Sequence, residues 1–370
     1  MNHVLAFHAP YRCQHAGVCC SSGWAIPVEA PLHRSLNAAI EWGQLRVEGA
    51  HHDSDLFEPT PDLTDDEPVV LRRRASGACV FFEPERGNLC AIQRQIDHAH
   101  LPSACRHFPR IVVIDPRGTF VTLSHVCPTA ARLLLVQGTS AEVVVRGPVI
   151  DGYQALEGLD ARDALPPLVR PDLLWDWDSW DRWERGAVAI LARDGQSPEE
   201  ALHALDRAVE AVSMWLPADG PLEDAVDSAL AEAARSPRAA LVLEADRLAS
   251  LCAIVDRSVP EALKPAALAE TPRFDVPAWD QWGAALCRYL AARAFANWVG
   301  YYGTGLETWR NSILAAYAVL RAAATRHAEL LGGSPDADAI VKVFGEADLL
   351  LLHLASAPAM AAALDDWEER

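Results

Sequence analysis

The stretch YRCQHAGVCCSSGW, residues 11–24, holds three cysteines within eight residues, and two of them are adjacent. The whole chain has nine cysteines, and seven of them lie between Cys13 and Cys127. In a reducing compartment, clustered cysteines indicate metal binding or catalysis more often than disulfides. We therefore predict a metal centre whose ligands come from these seven residues: Cys13, Cys19, Cys20, Cys79, Cys90, Cys105 and Cys127.

The composition describes a protein with a large core and an acidic surface. The chain has 370 residues, of which 51% are hydrophobic, and its formal net charge is −19. This length favours two domains. A sequence-independent nucleic-acid binder needs basic faces, so the charge argues against that class. An acidic surface instead suits cationic partners such as lysine side chains.

Neither end of the chain predicts a membrane protein. The first residues, MNHVLAFHAPYR, lack the basic and apolar regions of a signal peptide. The most apolar run, Ala347–Leu364, is interrupted by Asp348, His353 and Pro358, which favours a buried core helix over a membrane span. We expect a cytoplasmic protein that binds neither membrane nor nucleic acid.

The two halves of the chain differ in character. Residues 1–140 are rich in turns and contain two β-hairpin patterns, one around Pro84–Gly87 and one around Pro116–Gly118. Residues 141–370 are rich in alanine and leucine at helical spacing. The sequence therefore predicts a mainly α protein, in which a cysteine-rich α+β metal-binding domain (1–140) with short hairpins precedes an α-helical domain (141–370).

Helix signals are clearest in the second half. The sequence Ser197-Pro198-Glu199-Glu200 predicts a capping box with proline at the first helical position. Further helices are predicted over residues 237–255, 278–299, 305–331 and 337–354. Cys252 and Cys287 fall within these patterns, so we expect them to be small core residues rather than ligands.

The first hairpin predicts how two cysteines could converge. If Phe81 pairs with Cys90, then Cys79 and Cys90 lie on one face of the hairpin, because side chains alternate along a strand. A slip of one residue would cancel this prediction. In extended backbone, Cys19 and Cys20 would point to opposite sides, so either one packs while the other ligates, or the site holds more than one metal atom.

Thiolate-rich sites suit zinc or iron–sulfur clusters. The paired CxxC knuckles of a zinc ribbon are absent from the sequence, and so is the CxxxCxxC motif of radical adenosylmethionine enzymes. The sequence also lacks a GxGxxG motif after a strand, and GYYGTG at residues 300–305 follows helical sequence. The residues alone leave the metal open.

Four segments of the first half carry a resemblance to a known family. They are YRCQHAGVCCSSGWAIPV, GACVFF with GNLCAIQ, LPSACRHFPR, and LSHVCPTAARLLL. In this order they resemble the zinc- or iron-chelating cysteine-cluster proteins (YkgJ-like), and more specifically the flagellin lysine-N-methylase (FliB-like) branch. The resemblance covers about residues 8–137. The second half is only broadly similar, through RYLAARAFANWVGYYGTGL and the late helix that reaches His353.

This resemblance implies an iron–sulfur cluster on the cysteines, [4Fe–4S] being the form favoured here, with zinc as the alternative. It also implies methylation of protein lysines, as in flagellin, with S-adenosylmethionine. One departure concerns residues 14–18, where the family commonly has a further cysteine. A ligand is therefore lost, or His15 replaces it.

Arg106 follows Cys105 directly and is the residue that we predict to contact the cosubstrate. A guanidinium there could stabilise nearby thiolates or hold a carboxylate, whereas its structural alternative is to cap backbone carbonyls. The roles of His107 and Arg110 stay open. His125 is more simply a core or surface residue than a metal ligand. His98 and His100 are more simply part of a solvated loop than a metal-binding pair.

The segment DLLWDWDSWDRW, residues 172–183, has two readings. Its tryptophans and aspartates could hold a lysine or methylammonium group, or the tryptophans could anchor a helix entry in the core. We favour the second.

Three functions follow from the sequence. The first is a lysine methyltransferase that uses S-adenosylmethionine near an iron–sulfur cluster. The second is a non-catalytic module that binds zinc or iron. The third is a redox or metal-handling partner within an enzyme complex. The sequence names no base that would neutralise the substrate lysine.

Overall fold

The architecture comes from a computed structural model of the chain. It describes residues 1–22, 24–50, 52–59, 66, 69–146, 158–263 and 272–367. Within these ranges the fold is mainly helical, with several small sheets in the first half and a helical second half. The predicted coarse architecture is therefore confirmed.

The strands are short, and most of them lie before residue 147. In chain order they are β1 (Asn2–Leu5), β2 (Pro27–Val28), β3 (Phe57–Pro59), β4 (Val69–Leu71), β5 (Phe82–Glu83), β6 (Leu89–Cys90), β7 (Arg110–Asp115), β8 (Gly118–Leu123), β9 (Val143–Arg146), β10 (Gly158–Asp160), β11 (Leu168–Arg170) and β12 (Leu173–Leu174).

The helices of the first half are also short. They are α1 (Val18–Ser21), α2 (Ala30–Glu41), α3 (Asp53–Leu56), α4 (Ala91–Gln95), α5 (Ser103–His107) and α6 (Pro128–Leu133). Of these only α2, with 12 residues, is as long as the typical helices of the second half. The second half holds α7 (Trp177–Leu191), α8 (Pro198–Ser213), α9 (Leu222–Arg235), α10 (Ala245–Ser258), α11 (Gly283–Ala294), the four-residue α12 (Val299–Tyr302), α13 (Leu306–Leu331), α14 (Ala337–Asp348) and α15 (Ala357–Asp365). A π-helical segment, Leu349–Leu354, continues α14.

The largest sheet has the strand order β10-β7-β8-β1-β9. The predicted second hairpin forms its centre, since β7 and β8 pair antiparallel from Arg110–Leu123 to Asp115–Gly118. β1 runs parallel to β8, and β9 runs antiparallel to β1. Because β9 and β10 follow residue 140, this sheet takes strands from both sides of the predicted domain boundary, which stays a prediction.

Side-chain alternation gives this sheet two buried faces. Val113 and Phe120 pack into the main core with the helices of the second half. Val112 and Val121 form a small cluster on the opposite face. The sheet thus connects the first half of the chain directly to the helical half.

A buried ion-pair cluster strengthens this connection. Arg117, in the turn between β7 and β8, donates to Asp115 at 2.7 Å and to Glu184 of α7 at 3.1 Å. The Tyr301 hydroxyl donates to Asp115 at 2.7 Å. Buried charges need such pairing, since an unpaired charge in the core is costly.

The helical half follows its sequence signals closely. The predicted capping box begins α8: the Glu200 N–H donates to the Ser197 hydroxyl at 3.1 Å, and the Ser197 N–H donates to the Glu200 carboxylate at 2.9 Å. The central helix α13 is buried along most of its length and ends at Gly332 in the left-handed conformation. The helix predicted from residue 237 begins only at Ala245, so its first eight residues were predicted wrongly.

The tryptophans of the segment at 172–183 anchor a helix entry in the core, which is the interpretation favoured from the sequence. Trp175, Trp180 and Trp183 are buried. Trp180 and Trp183 pack against Trp309 of α13, and Trp175 packs against both of them. Asp176 accepts a hydrogen bond from the Ser179 N–H at 2.8 Å and so caps α7.

Within the described residues, no single helix is long and apolar enough to cross a membrane. Ala337–Leu354 and Ala357–Asp365 would have to act together, and the chain bends by 94° between them.

Candidate functional site

A cavity of about 910 Å³ lies among the short elements of the first half. Its volume is in the range of sites for small molecules. It is lined by all seven cysteines that the sequence singled out: Cys13, Cys19, Cys20, Cys79, Cys90, Cys105 and Cys127. Cys252 and Cys287 are not among the lining residues; both belong to the core of the helical half, where burial raises the pKa of each thiol to about 12.

The adjacent cysteines lie on the single helical turn α1. Their Sγ atoms are 3.9 Å apart, so the extended conformation expected for this pair was wrong. Gly17 precedes the turn with φ of 76°, and a Cβ there would lie 2.8 Å from the ring of Phe82. Glycine is therefore required at this position by both conformation and space.

Cys79 and Cys90 reach the cavity by a different route from the predicted one. The hairpin pairs Phe82, not Phe81, with Cys90, so the predicted register was wrong by one residue. Cys79 lies before β5, where its N–H donates to the carbonyl of Cys20 at 2.7 Å. The two cysteines share the cavity because this backbone contact joins Cys79 to α1, not because a strand alternates.

The remaining cysteines come from three further segments. Cys105 lies on α5 and Cys127 lies just before α6. The Tyr11 hydroxyl and the Cys127 sulfur are 3.6 Å apart. Cys13 is exposed, and its sulfur accepts a hydrogen bond from the His15 N–H at 3.4 Å and lies 4.0 Å from His15 Nδ1.

Electrostatic interactions divide the seven thiols into two groups. Burial raises the pKa of Cys105 well above its usual value, and repulsion from ionised Cys79, Cys90 and Cys19 raises it further. Burial likewise raises the pKa of Cys90 to about 11, with a contribution from Cys79. We call these mutually close residues the thiol group: Cys19, Cys20, Cys79, Cys90 and Cys105.

Cys13 and Cys127 face Tyr11 instead. Burial raises the pKa of Tyr11, and nearby Cys127 and Cys13 add to this effect. The guanidinium of Arg110 lies over the Tyr11 ring, 5.6 Å from its centroid. We call these four residues the Tyr11 group.

Within the thiol group, the neighbouring pair behaves asymmetrically. A hydrogen bond from Cys20, opposed by burial, lowers the pKa of Cys19 to about 7. The same contact raises the pKa of Cys20 well above its usual value. Cys19 is therefore the more easily ionised sulfur of the pair, and a thiolate is the form that binds metal.

The cavity wall carries positive charge in an acidic protein. Arg73, Arg106 and Arg110 line it, and Glu29 is the one carboxylate among the described lining residues. Burial, with help from Arg106 and Arg110, lowers the pKa of His107 to about 4, so this imidazole is neutral at pH 7. Such a wall favours an anionic occupant.

Across the described residues, no three His, Cys, Asp or Glu side chains are grouped as a ligand set for one metal ion. The seven cysteines nevertheless line one cavity. The donors present are soft sulfur atoms, which suit zinc, copper(I) and iron–sulfur clusters better than magnesium or calcium.

The helical half contributes His353 to the cavity. Its Nε2 lies 2.8 Å from the Ser124 hydroxyl, and its ring packs 4.9 Å from Trp24 and 6.4 Å from Phe108. The π-helical segment that carries His353 begins directly after Asp348. Such segments are frequent at functional sites.

Asp348 anchors that segment to the strand end that precedes Cys127. Its carboxylate accepts hydrogen bonds from the His125 N–H at 2.6 Å, His125 Nδ1 at 2.8 Å and the Tyr289 hydroxyl at 2.8 Å. It also pairs with Arg293 at 3.2 Å. His125 is therefore a buried structural residue, and its other nitrogen lies 3.1 Å from Nε2 of His8.

Sequence reasoning missed most of these supporting residues. Glu29 and Arg73 carry no local signal, because the partners of their side chains lie 49 or more residues away. Asp348 stands out only as a charge that interrupts an apolar run, which does not indicate its partners. His353 was indicated only through the family resemblance. His98 lines the cavity, whereas His100 pairs with Asp97 at 2.7 Å on an exposed turn.

The buried His8 predicts a pH dependence of stability. Burial, and then the charge of His125, lower the pKa of His8 well below 6.5. Below about pH 6.5 the unfolded chain binds a proton that the folded chain does not, so the free energy of unfolding decreases as the pH is lowered. Between about pH 6.5 and pH 5, one such histidine lowers the free energy of unfolding by about 2 kcal/mol.

His8→Gln keeps a hydrogen-bonding group beside His125 but does not titrate. We expect the variant to lose about 2 kcal/mol less than the wild type over this pH interval. Urea unfolding at several pH values measures the difference. The exposed His52→Gln is the control and should behave as the wild type does; identical pH dependence in the His8 variant would contradict the assignment.

Comparisons of the chain with protein-family models, with curated proteins and with solved structures found no match.

Proposed function

We propose that the chain binds an iron–sulfur cluster through the thiol group and methylates protein lysines with S-adenosylmethionine. The observation that carries the proposal is the convergence of seven cysteines, from segments up to 114 residues apart, on one arginine-lined cavity. Cysteines that serve only as small core residues are expected to be dispersed through the core, not to line one cavity.

The number of thiols that line the cavity and the volume of the cavity support a cluster. Ligands of one zinc ion all lie about 2.3 Å from it, so their sulfur atoms crowd together. Ligands of an iron–sulfur cluster bind different iron atoms and therefore stand further apart. The cavity of about 910 Å³ that the five thiols line has room for ligands of the second kind.

The arginines support the same occupant. Four thiolates around a cluster leave it anionic, and burial of that charge is costly unless cations or hydrogen-bond donors face it. Arg73 lies near the thiol group, because its NH1 donates to the carbonyl of Cys20 at 3.2 Å. Its charge also lowers the pKa values of Cys19 and Cys79, against the effect of burial.

The cavity has room for more than a cluster, and Arg106 is placed to hold an anionic group there. Its Nε is buried without a hydrogen-bond partner, so the capping role considered for Arg106 is not served by this atom. A carboxylate would satisfy this donor in a charge-assisted hydrogen bond. S-adenosylmethionine carries such a carboxylate and supplies an electrophilic methyl group.

The chain's own residues can prepare a lysine for methylation. A lysine must lose its proton before its nitrogen can attack, and both desolvation and neighbouring positive charge lower its pKa. The cavity offers both, since Arg73, Arg106 and Arg110 line it. The acidic surface, with a net charge of −19, would attract the protonated lysine before it enters.

One observation favours the second candidate, a non-catalytic zinc or iron module. The Sγ atoms of Cys19 and Cys20 are 3.9 Å apart, a separation that two sulfur ligands of one tetrahedral ion would have. In this case the metal would stabilise the fold of the first half, as structural zinc does. The two candidates differ in metal, in sulfide content and in cosubstrate binding.

Anaerobic purification followed by metal and acid-labile sulfide analysis tests the proposal. We expect brown protein with about four iron atoms and four sulfides per chain, the content of one [4Fe–4S] cluster. S-adenosylmethionine should bind to this form in calorimetric titration. Stoichiometric zinc without sulfide, after anaerobic reconstitution with iron and sulfide, would favour the structural module instead. Cluster without any binding of S-adenosylmethionine would remove the methyltransferase and leave the cluster.

A further inference from the structure

Two oppositely charged side chains on the cavity wall each have a buried polar atom without a hydrogen-bond partner. One is Nε of Arg106 and the other is Oε2 of Glu29. An unmet buried polar atom is costly, and more so when it is charged. Both residues line the cavity, so a ligand in the cavity could satisfy both atoms.

The short helix α5 holds the two residues near each other. The other carboxylate oxygen of Glu29, Oε1, accepts a hydrogen bond from the Ser103 N–H at 2.9 Å, at the first residue of α5. Arg106 is three residues further along the same helix. Residues three apart on a helix share a face, with Cβ atoms about 5–6 Å apart. The Glu29 carboxylate is thus bonded to the first residue of the five-residue helix that carries Arg106, and both residues line the same cavity.

The two groups do not neutralise each other. Among the described residues, the ion pairs within 4.0 Å do not include one between Glu29 and Arg106. The other two arginines of the wall are more fully engaged: Arg73 donates to the carbonyls of Cys20 and Trp24, and Arg110 lies over Tyr11 and donates to the His107 carbonyl. Nε of Arg73 is also buried without a hydrogen-bond partner, but its two terminal nitrogens are both bonded to carbonyls. Among the oppositely charged side chains of the wall, Arg106 and Glu29 are therefore the two with an unsatisfied atom and no ion pair between them.

A carboxylate and a guanidinium that stand apart on one wall are complementary to a zwitterion. The carboxylate of an α-amino acid would accept from Arg106, and its ammonium group would donate to Glu29. An isolated anion would satisfy only Arg106, and an isolated amine would satisfy only Glu29. The two groups together therefore select a ligand that carries both charges on substituents of one carbon, as an α-amino acid does.

We propose that Glu29 and Arg106 form a binding site for an α-amino-acid headgroup. This inference rests on the proposed function for its ligand, since S-adenosylmethionine carries this headgroup at one end. A free amino acid carries the same chemistry, and the experiment separates these two sources. Glu29 would recognise the ammonium group and Arg106 the carboxylate.

The test compares two nucleosides that differ in the headgroup. S-adenosylhomocysteine has the α-amino acid, whereas 5′-methylthioadenosine lacks it. Each is titrated calorimetrically into the anaerobic, metal-containing full-length chain. We expect the wild type to bind S-adenosylhomocysteine roughly tenfold to hundredfold more tightly, from two charge-assisted hydrogen-bonding contacts.

Two variants should remove this preference. Glu29→Gln keeps an oxygen that can accept from the Ser103 N–H, and Arg106→Gln is an independent second variant. In each, affinity for S-adenosylhomocysteine should fall about tenfold or more while affinity for 5′-methylthioadenosine stays unchanged. Glu41→Gln and Arg34→Gln, both exposed on α2, are the matched controls. Iron content shows that each variant has kept its fold and metal.

The outcomes separate this inference from the proposed function. Equal binding of the two nucleosides by the wild type, or a preference that persists in both variants, would overturn the headgroup site while leaving the methyltransferase in place. Binding of L-methionine by the wild type but not by Glu29→Gln, without nucleoside binding, would support the site and remove the methyl donor. No binding of any of the three probes would overturn both.

Discussion

Replacing Cys105 by serine is expected to remove nearly all iron from the anaerobically prepared protein. Cys105 lines the cavity, where burial and then repulsion from ionised Cys79, Cys90 and Cys19 raise its pKa. A [4Fe–4S] cluster takes about four thiolates, and a serine hydroxyl does not replace one at neutral pH. We expect the same loss for Cys79→Ser, for Cys90→Ser and for one of the two adjacent positions.

Two comparisons make this prediction specific. Cys252→Ser and Cys287→Ser should keep full iron, since both residues lie in the core of the helical half. Cys13→Ser and Cys127→Ser should keep a measurable part of the iron, because the Cys127 sulfur lies 3.6 Å from the Tyr11 hydroxyl and Cys13 is exposed beside His15.

Iron and sulfide per chain are measured for each variant after identical reconstitution, with circular dichroism as the check on folding. Loss of iron from Cys252→Ser or Cys287→Ser would show that the assignment of the metal ligands is wrong. Full retention by Cys105→Ser would show that the thiol group is not the ligand set.

The density of cysteines was enough to predict which residues share the cavity, but not how they reach it. The predicted register failed because the connection from Glu83 to Leu89 contains a helical turn at Pro84–Arg86 and positive φ angles at Gly87 and Asn88. This turn takes up one more residue than the four-residue loop that was assumed. Strand alternation over a two-residue ladder is too short to specify a face.

The residues that support the cavity wall, such as Glu29 and Asp348, could not be predicted for a different reason. The chain has 51 acidic residues, and nothing in the local sequence distinguishes Glu29 from the others. Asp348 stands out only because it interrupts an apolar run, which does not indicate its partners. Their roles come from contacts with Ser103 and His125, which are 74 and 223 residues away. Such pairing becomes visible only when the fold brings the elements together. By contrast, the capping box of α8 and the β7–β8 hairpin depend on neighbours in sequence, and they were predicted correctly.

The network at Asp348 explains how the helical half could control the cavity. Asp348 joins α14 to the residues just before Cys127, and the π-helical segment after it carries His353 to the cavity wall. Ser124 and His125 are neighbours in sequence, and they bond to His353 and Asp348 respectively. A shift of α14 would therefore move one wall of the cavity and the backbone that leads to Cys127 at the same time.

Asp348→Asn is expected to cost about 3–5 kcal/mol in the free energy of unfolding, the range for breaking a buried ion pair from one side. Burial opposes ionisation of Asp348, but His125 and Arg293 overcome it and hold its pKa below its usual range. The carboxylate therefore stabilises the fold above about pH 4, and this contribution is lost as the pH falls through the folded pKa. Asparagine removes the charge, leaves Arg293 unpaired and places an N–H donor where His125 also donates.

Urea unfolding at pH 7 measures this cost, and Asp338→Asn on the same helix is the matched control. Asp338 pairs with Arg132 at 2.7 Å, but both side chains are more than half exposed, so its loss should cost no more than about 1 kcal/mol. Equal stability of the two variants would show that the buried network is not needed for the fold. A large loss in Asp348→Asn, with lower iron retention under conditions where the variant is still folded, would show that the helical half also holds the metal cavity in place.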